Sequence, residues 1–203
     1  MNIFETVLQY IAPSDCLQCG TEGSLLCASC SALLPSIQLP SSTPDMCIYA
    51  RTSYSGVARE LVRKLKFERA SAAAADMSRS MAGLLPAGMY DGIAYVPTAP
   101  ARVRQRGYDQ ARLLAKGVAE AAHLPFLPLL ARTGNQRQVG AQRAQRLVQM
   151  QYAFRMSKPY PAQAKRLLLV DDVLTTGSTI RSAAVVLRAA GARRVDALVF
   201  AAA

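Results

Sequence analysis

Leu167-Leu-Leu-Val-Asp-Asp-Val-Leu-Thr-Thr-Gly-Ser-Thr179 is the stretch on which the fold of this 203-residue chain turns. Its unbroken apolar run, residues 166–170 with Arg166 at the start, predicts a strand covered on both faces, because a half-exposed strand would alternate with polar residues. The strand delivers Asp171 and Asp172 to its carboxyl end, where open α/β sheets bind ligands. Thr175, Thr176, Gly177, Ser178 and Thr179 then form a loop at the start of a helix expected over residues 178–190, with Gly191 at its C-terminal cap. Backbone N–H groups, a helix N-terminus and hydroxyl donors in one place suit a phosphate. Gly177 lets the backbone approach it where a Cβ would intrude. The acidic pair would repel that phosphate; it suits sugar hydroxyls, or hydroxyls bridged to Mg²⁺. A ribose 5′-phosphate meets both demands. A plain N-cap cluster would need only one Ser or Thr, and it leaves two carboxylates that are costly to bury without partners. A Walker-type loop is excluded, since the chain has no Gly-Lys-Ser/Thr ending.

Outward from that stretch, residues 46–54 are β-prone, and Ser55-Gly56 turns them into a helix with Val57, Leu61 and Leu65 along one face. An Ala-rich helix is expected over residues 71–85. Residues 92–97 read as a buried strand ending at Pro97, followed by an Arg-rich loop and a helix over 109–122. The apolar run 124–130 reads as a strand, 131–140 as a polar loop, 141–149 as a helix and 195–200 as a closing strand. Near the start, residues 2–12 place Ile3, Phe4, Val7, Leu8 and Ile11 on one helical face. Three prolines in the Pro- and Ser-rich run 34–44 deny it helix or central strand, so it reads as a linker. The chain thus divides into 1–44 and 45–203. Strands alternating with helices predict an α/β fold, a mostly parallel sheet flanked by helices.

Lys and Arg outnumber Asp and Glu by 24 to 13, a formal charge of +11. Such a balance attracts phosphates on nucleic acid, a nucleotide-like ligand or anionic lipid, and a solvated basic surface carries it equally well. The chain has no Trp, and its basic segments offer only Tyr54, Phe67 and Tyr108. For single-stranded DNA, that pattern favours backbone contact over base reading. No stretch approaches the ~20 apolar residues of a membrane span, and Glu5 interrupts anything like a signal peptide. A cytoplasmic protein is expected.

Four of the five cysteines fall in Cys16-Leu-Gln-Cys19 and Cys27-Ala-Ser-Cys30. Four thiolates at this spacing suit a closed, tetrahedral, structural Zn²⁺ knuckle, with Gly20 and Gly23 supplying the tight turns. Redox-active dithiols and reduced buried thiols are the alternatives. Cys47 reads as an ordinary buried thiol. His123, the only histidine, reads as structural, and its solitude leaves hydrolase chemistry without an obvious base.

The strand, acidic pair and Thr-Thr-Gly loop resemble the phosphoribosyl pyrophosphate (PRPP) fingerprint of type I phosphoribosyltransferases. The resemblance implies that Asp171 and Asp172 contact the ribose hydroxyls, while Thr175, Thr176, Gly177, Ser178 and Thr179 wrap the 5′-phosphate. The four N-terminal cysteines, Leu65-Lys66-Phe67, Val96-Pro97, Arg106-Gly-Tyr-Asp-Gln110, and Arg132 with Gln138 and Arg143 follow in order. This set is similar to the ComF family, known from DNA uptake during natural competence. It departs from the family at Thr98-Ala99-Pro100-Ala101-Arg102, where a Pro and a basic residue usually follow Val-Pro, at Tyr108 and Asp109, and in a second cysteine set reduced to Cys47. The family resemblance implies Thr98 and Arg102 in a pyrophosphate loop and Arg132, Gln138 and Arg143 as catalytic residues of a closing loop. It also implies Mg²⁺-dependent transfer of phosphoribose from PRPP to a nitrogen acceptor. Single-stranded DNA or DNA-uptake proteins would be partners. The alternative is a non-catalytic DNA-binding or protein-interaction adaptor that keeps the fold.

Overall fold

A computed structural model describes residues 14–39, 46–68, 70–133, 153–157, 159 and 165–203. The expected helices over 2–12 and 141–149, and the candidate residues Gln138 and Arg143, lie outside the described residues. The elements in chain order are α1 (Ala28–Leu33), β1 (Ile37–Leu39), β2 (Ile48–Ser53), α2 (Gly56–Phe67), α3 (Ala70–Ala82), β3 (Gly92–Tyr95), α4 (Pro100–Arg106), α5 (Gln110–Ala121), β4 (Leu130–Arg132), β5 (Phe154–Met156), β6 (Arg166–Leu174), α6 (Ser178–Ala189) and β7 (Arg194–Ala202).

The main sheet runs β1-β2-β7-β6-β3. Its β2–β7, β7–β6 and β6–β3 pairs are parallel, and only β1 is antiparallel to its neighbour. β6, the strand that the sequence marked as buried on both faces, lies inside the sheet between β7 and β3. Successive side chains on a strand alternate between faces, so Leu168 and Val170 enter one apolar cluster with α2, α3 and α5. Leu167 and Leu169 enter the other, with α6 and the β4–β5 hairpin. Leu167, Leu168, Leu169 and Val170 are all fully buried. The α/β expectation and the parallel sheet agree with this architecture.

Three local expectations are corrected. The run 34–44 is not linker throughout, because β1 pairs there with β2, Ile37 opposite Ala50 and Leu39 opposite Ile48. Prolines cannot donate to a ladder, so they bracket a short edge strand without entering a central one. The Arg-rich loop after β3 is instead the helix α4, with Pro100 in its first turn and Gly107 at φ 81° as its C-cap. It buries no residue, so it carries no apolar stripe for a periodicity argument to find. The run 124–130 is broken by Pro125 and Pro128: Phe126 bridges Ile93 on the open edge of β3, and the next strand starts only at Leu130. Its partner β5, antiparallel to it, was not expected.

The cysteine segment packs on the rest of the protein. Cys16, Leu25, Leu26 and Cys30 belong to the cluster built around α2, α3 and α5. Two side chains of the main body fix it there. Asp76 on α3 is buried, and its Oδ2 accepts from the N–H groups of Leu25 and Leu26 at 2.7 and 3.1 Å. Arg51 on β2 is also buried; it donates to the carbonyls of Ser31 and Leu34 and, at 2.8 Å, to Ser80 Oγ. Losing Asp76 would strand two buried amides, a penalty of about 2 kcal/mol or more. Denaturant titration of Asp76→Ala should therefore show that loss, and Asp76→Asn, which keeps one acceptor oxygen, a smaller one. Equal stability of Asp76→Ala and the parent would mean that the docking contributes little.

Candidate functional site

The carboxyl ends of β3 and β6 lie side by side, because Tyr95 pairs with Val170 and the Val96 N–H donates to the Val170 carbonyl at 3.0 Å. Pro97 and Thr98 therefore leave β3 alongside Asp171 and Asp172. The two carboxylates fall on opposite faces of β6, by the same alternation that divides Leu167 and Leu169 from Leu168 and Val170.

Asp172 shares the face of α2, and Lys66, near the C-terminus of α2, places its ammonium 2.7 Å from Asp172 Oδ2. Asp172 Oδ1 accepts from the Val173 N–H, and Asp171 Oδ1 from the Asp172 N–H, both at 2.9 Å. Asp171 shares the face of the β4–β5 hairpin, which carries Arg132. Burial, and then the Asp172 charge beside it, hold the Asp171 carboxyl well above the usual carboxylate range. Arg132 is tied down by a 3.4 Å bond from Nη1 to the Pro97 carbonyl and by the Phe154 ring, 5.3 Å from its guanidinium. Burial pushes Arg132 down, as does the charge of Arg102, while the Asp171 carboxylate acts in the opposite sense. Arg132 thus feels the charges of both Arg102 and Asp171, while Lys66 pairs with Asp172 and also draws the Asp171 carboxyl down.

The loop after β6 closes as the sequence suggested. Gly177 adopts φ +70°, a left-handed conformation that favours glycine, and a Cβ there would lie 3.0 Å from Arg181 Nη1 and 3.3 Å from Leu174 Cδ1. The N-cap of α6 is Gly177, which has no side chain to cap with. The Thr176 and Ser178 hydroxyls are 2.9 Å apart, Thr176 Oγ1 also accepts from the Ser178 N–H, and Arg181 donates to the Thr176 carbonyl. Thr175 and Thr176 are exposed, and Ser178 and Thr179 are half-buried. Hydroxyls and helix N–H groups share this edge with the acidic pair.

Thr98 is held rather than open. Its N–H and hydroxyl both donate to Asp109, at 2.9 and 3.0 Å, and the same carboxylate caps α5 through the N–H groups of Ala111 and Arg112. Arg102 is exposed on α4. The residues around Asp109 clamp the end of α2 as well: Tyr108 donates to the Leu65 carbonyl at 2.7 Å, and the Arg106 guanidinium lies 5.2 Å from the Phe67 ring. Sequence reasoning assigns no role to Lys66, to Asp109 or to the Arg106–Phe67 pair. Their signal is the Leu65-Lys66-Phe67 triplet and the Arg106 to Gln110 motif, which mark positions but not partners.

The four cysteine Sγ atoms of Cys16, Cys19, Cys27 and Cys30 all lie within 4.8 Å of one another. Cys19 and Cys27 Sγ are 3.7 Å apart, and Cys30 N–H donates to Cys27 Sγ. Gly20 and Gly23 have φ of 75° and 105°, giving the turns their tightness. Four thiols this close cannot all ionise unaided. The Thr21 hydroxyl pulls Cys19 down to about 6, while Cys19 and Cys27 push Cys30 up to about 12. A cation bound by all four sulfurs removes that conflict, so the donor set fits a metal ion. Cys47 stands apart, 3.4 Å from Arg194 Nη2. His123 sits just past α5 with φ 53°, in a turn.

No family model matches the chain. The DNA utilization protein YhgH of Escherichia coli is 30% identical over 199 residues, covering 89% of this chain and 81% of that protein. The competence protein ComFC of Streptococcus pneumoniae is 32% identical over 101 residues, 49% of this chain and 43% of ComFC, so the match spans less than half of that relative. ComFC of Bacillus subtilis is 27% identical over 136 residues, 65% of this chain and 54% of its own. Among solved structures, the glutamine PRPP amidotransferase of B. subtilis in complex with ADP and GMP is similar over 64% of this chain and 26% of its own, at 23% identity and a TM-score of 0.48. A hypoxanthine phosphoribosyltransferase of Staphylococcus aureus is similar over 62% of this chain and 61% of its own, at 13% identity and a TM-score of 0.36. Among the described residues no helix is long and apolar enough to cross a membrane. With its cysteine cluster and its identity to YhgH across most of both chains, the protein belongs to the ComF-type family of DNA-utilization and competence proteins.

Proposed function

We propose that this protein binds PRPP at the carboxyl edge of its sheet and serves DNA uptake in the cytoplasm, with phosphoribosyl transfer to a nitrogen acceptor as its chemistry. The observation that carries the reading is the acidic pair at the end of β6 beside the hydroxyl loop, with Lys66 paired to Asp172 at 2.7 Å. In this reading Asp171 and Asp172 accept the ribose hydroxyls. Thr175, Thr176, Gly177, Ser178 and Thr179 receive the 5′-phosphate on hydroxyls and on the N–H groups of the α6 N-terminus. Arg132 and Arg102 face the pyrophosphate, and Thr98, held by Asp109 through its N–H and hydroxyl, borders it. Gln138 and Arg143 belong to the segment that would close over the site and exclude water.

When transfer occurs, the acceptor nitrogen forms a bond to ribose carbon 1 as the bond to pyrophosphate oxygen breaks, and the electron pair leaves on pyrophosphate. Arg132 and Arg102 stabilise that developing charge. Asp171 and Asp172 would lie beside Mg²⁺ bound with PRPP, and the ion would supply further charge neutralisation. Zn²⁺ in the cluster of Cys16, Cys19, Cys27 and Cys30 is structural, since four protein thiolates leave no open position.

Three outcomes follow from these assignments. Calorimetric titration with PRPP and Mg²⁺ should give saturable binding that Asp171→Asn/Asp172→Asn abolishes; a folded parent that binds nothing would remove the ligand reading. The raised Asp171 carboxyl carries a sign. A folded-state pKa above the unfolded one adds stability at low pH and loses it as pH rises through the folded value. Asp171→Asn should therefore be more stable than the parent at pH 8 and closer to it at pH 5, while binding no PRPP. A difference that shrinks with rising pH would contradict the burial argument. Native mass spectrometry should find one zinc per chain, and Cys30→Ala, which also opens the apolar cluster, should lose the metal and melt at lower temperature. A metal-free parent of unchanged stability would leave the cluster as reduced thiols.

A further inference from the structure

The edge of the sheet opposite the candidate site carries a second concentration of charge. The amino ends of β6 and β7, the approach to β2 and the end of α6 enclose a cavity of about 670 Å³ lined by Arg166, Arg188, Arg193 and Arg194, with Cys47 at its wall. Two of these arginines are anchored from below. Arg194 Nε donates to the fully buried carboxylate of Asp196 at 2.7 Å, and its Nη2 reaches Cys47 Sγ. Arg166 makes two side-chain bonds to Asp91, at 3.3 and 3.0 Å, while its own N–H donates to the same carboxylate at 2.7 Å. These contacts hold the Asp91 carboxyl down at about 2. Each anchored guanidinium has five N–H donors and so keeps donors for a ligand; their side chains stay 39% and 43% exposed. Arg193 is exposed and makes no ion pair among the described residues. Lys165 precedes Arg166, and its carbonyl accepts from the N–H groups of Arg193 and Arg194, which binds the basic turn to the start of β6.

From this arrangement we infer that the arginine cavity holds the phosphodiester backbone of a single nucleic-acid strand. The four cations come from the starts of two strands, the last turn of α6 and the turn between α6 and β7, around a space far larger than one phosphate. Among the described residues, the lining has no aromatic ring to stack a base and no hydroxyl loop to enclose a single phosphate. It therefore suits a chain of phosphates without regard to sequence. Anchoring from below keeps the guanidinium groups in place, so little side-chain freedom is lost when the strand binds. This inference rests on the DNA-handling part of the proposal above and places that activity on a surface of its own. Arg166 and Asp172 are six residues apart on one strand, a separation of about 20 Å. A strand in this cavity and PRPP at the other edge would not compete.

The test is fluorescence anisotropy with a labelled oligo(dT) of about 20 nucleotides, on the full chain and on Arg188→Glu/Arg193→Glu. The variant should bind about tenfold more weakly or worse at moderate salt, and its log–log salt slope should fall by about 0.7 for each phosphate that the protein no longer neutralises. It should still bind PRPP as the parent does, which separates failure of this inference from failure of the PRPP reading. Saturating PRPP should leave the parent's affinity for the oligonucleotide unchanged. Far-UV circular dichroism matched to the parent checks that the variant is folded; Arg193→Ala, a milder change, should show a smaller loss in the same direction. Unchanged oligonucleotide affinity and slope in the charge-reversed variant would overturn the inference. So would competition by PRPP, a parent that binds no oligonucleotide, or inorganic triphosphate binding the cavity as tightly as the strand does.

Discussion

Adjacent carboxylates at the end of a buried strand repel each other and lose their hydration, and the two costs add. The sheet eases this by alternation: Asp171 and Asp172 point to opposite faces, Lys66 from α2 pairs with Asp172, and the same ammonium draws the Asp171 carboxyl down. Contacts beside the candidate site hold Lys66 and Arg132 in place. Tyr108 and Arg106 fasten the end of α2 that carries Lys66. Phe154 and the Pro97 carbonyl fix Arg132. The residual cost falls on Asp171, whose carboxyl remains reluctant to ionise.

The cysteine segment uses the same device on a smaller scale. Its backbone N–H groups and carbonyls find partners on side chains of the main body, Asp76 for Leu25 and Leu26, and Arg51 for Ser31 and Leu34. Four sulfurs hold the segment's own shape, and two buried charged side chains hold its orientation. Because Cys16 and Cys30 also enter the apolar cluster of α2, α3 and α5, order in the knuckle and order in that cluster are coupled.

Much of this was legible because it repeats with a period. The run 167–170, the apolar face of α2 and the strand-loop-helix around Gly177 each follow from side-chain spacing, and the acidic pair follows from where that strand ends. The Cys-x-x-Cys pairs announce themselves by identity alone. What stayed hidden lacks period or acts through space. α4 has no buried face, β1 and β5 have three residues each, and the partnership of Lys66 with Asp172 joins residues far apart in the chain. Asp109 was visible as a departure from a motif, but its bond to Thr98 depends on how β3 and α5 are set against each other. The arginines of the opposite edge show in the sequence only as net charge, because their clustering is a product of the parallel sheet, which gathers strand beginnings on one side.

Both margins of the main sheet are finished with proline-bracketed segments. On one side β1 lies between Pro35 and Pro40. On the other, the stretch between Pro125 and Pro128 receives and gives the hydrogen bonds of Ile93. An extended peptide that sought to lengthen the sheet would meet prolines, which cannot donate to a ladder, at Pro35 beside β1 and at Pro125 and Pro128 beside β3. Recognition by strand addition, a common way for sheets to recruit other chains, is therefore disfavoured at those positions.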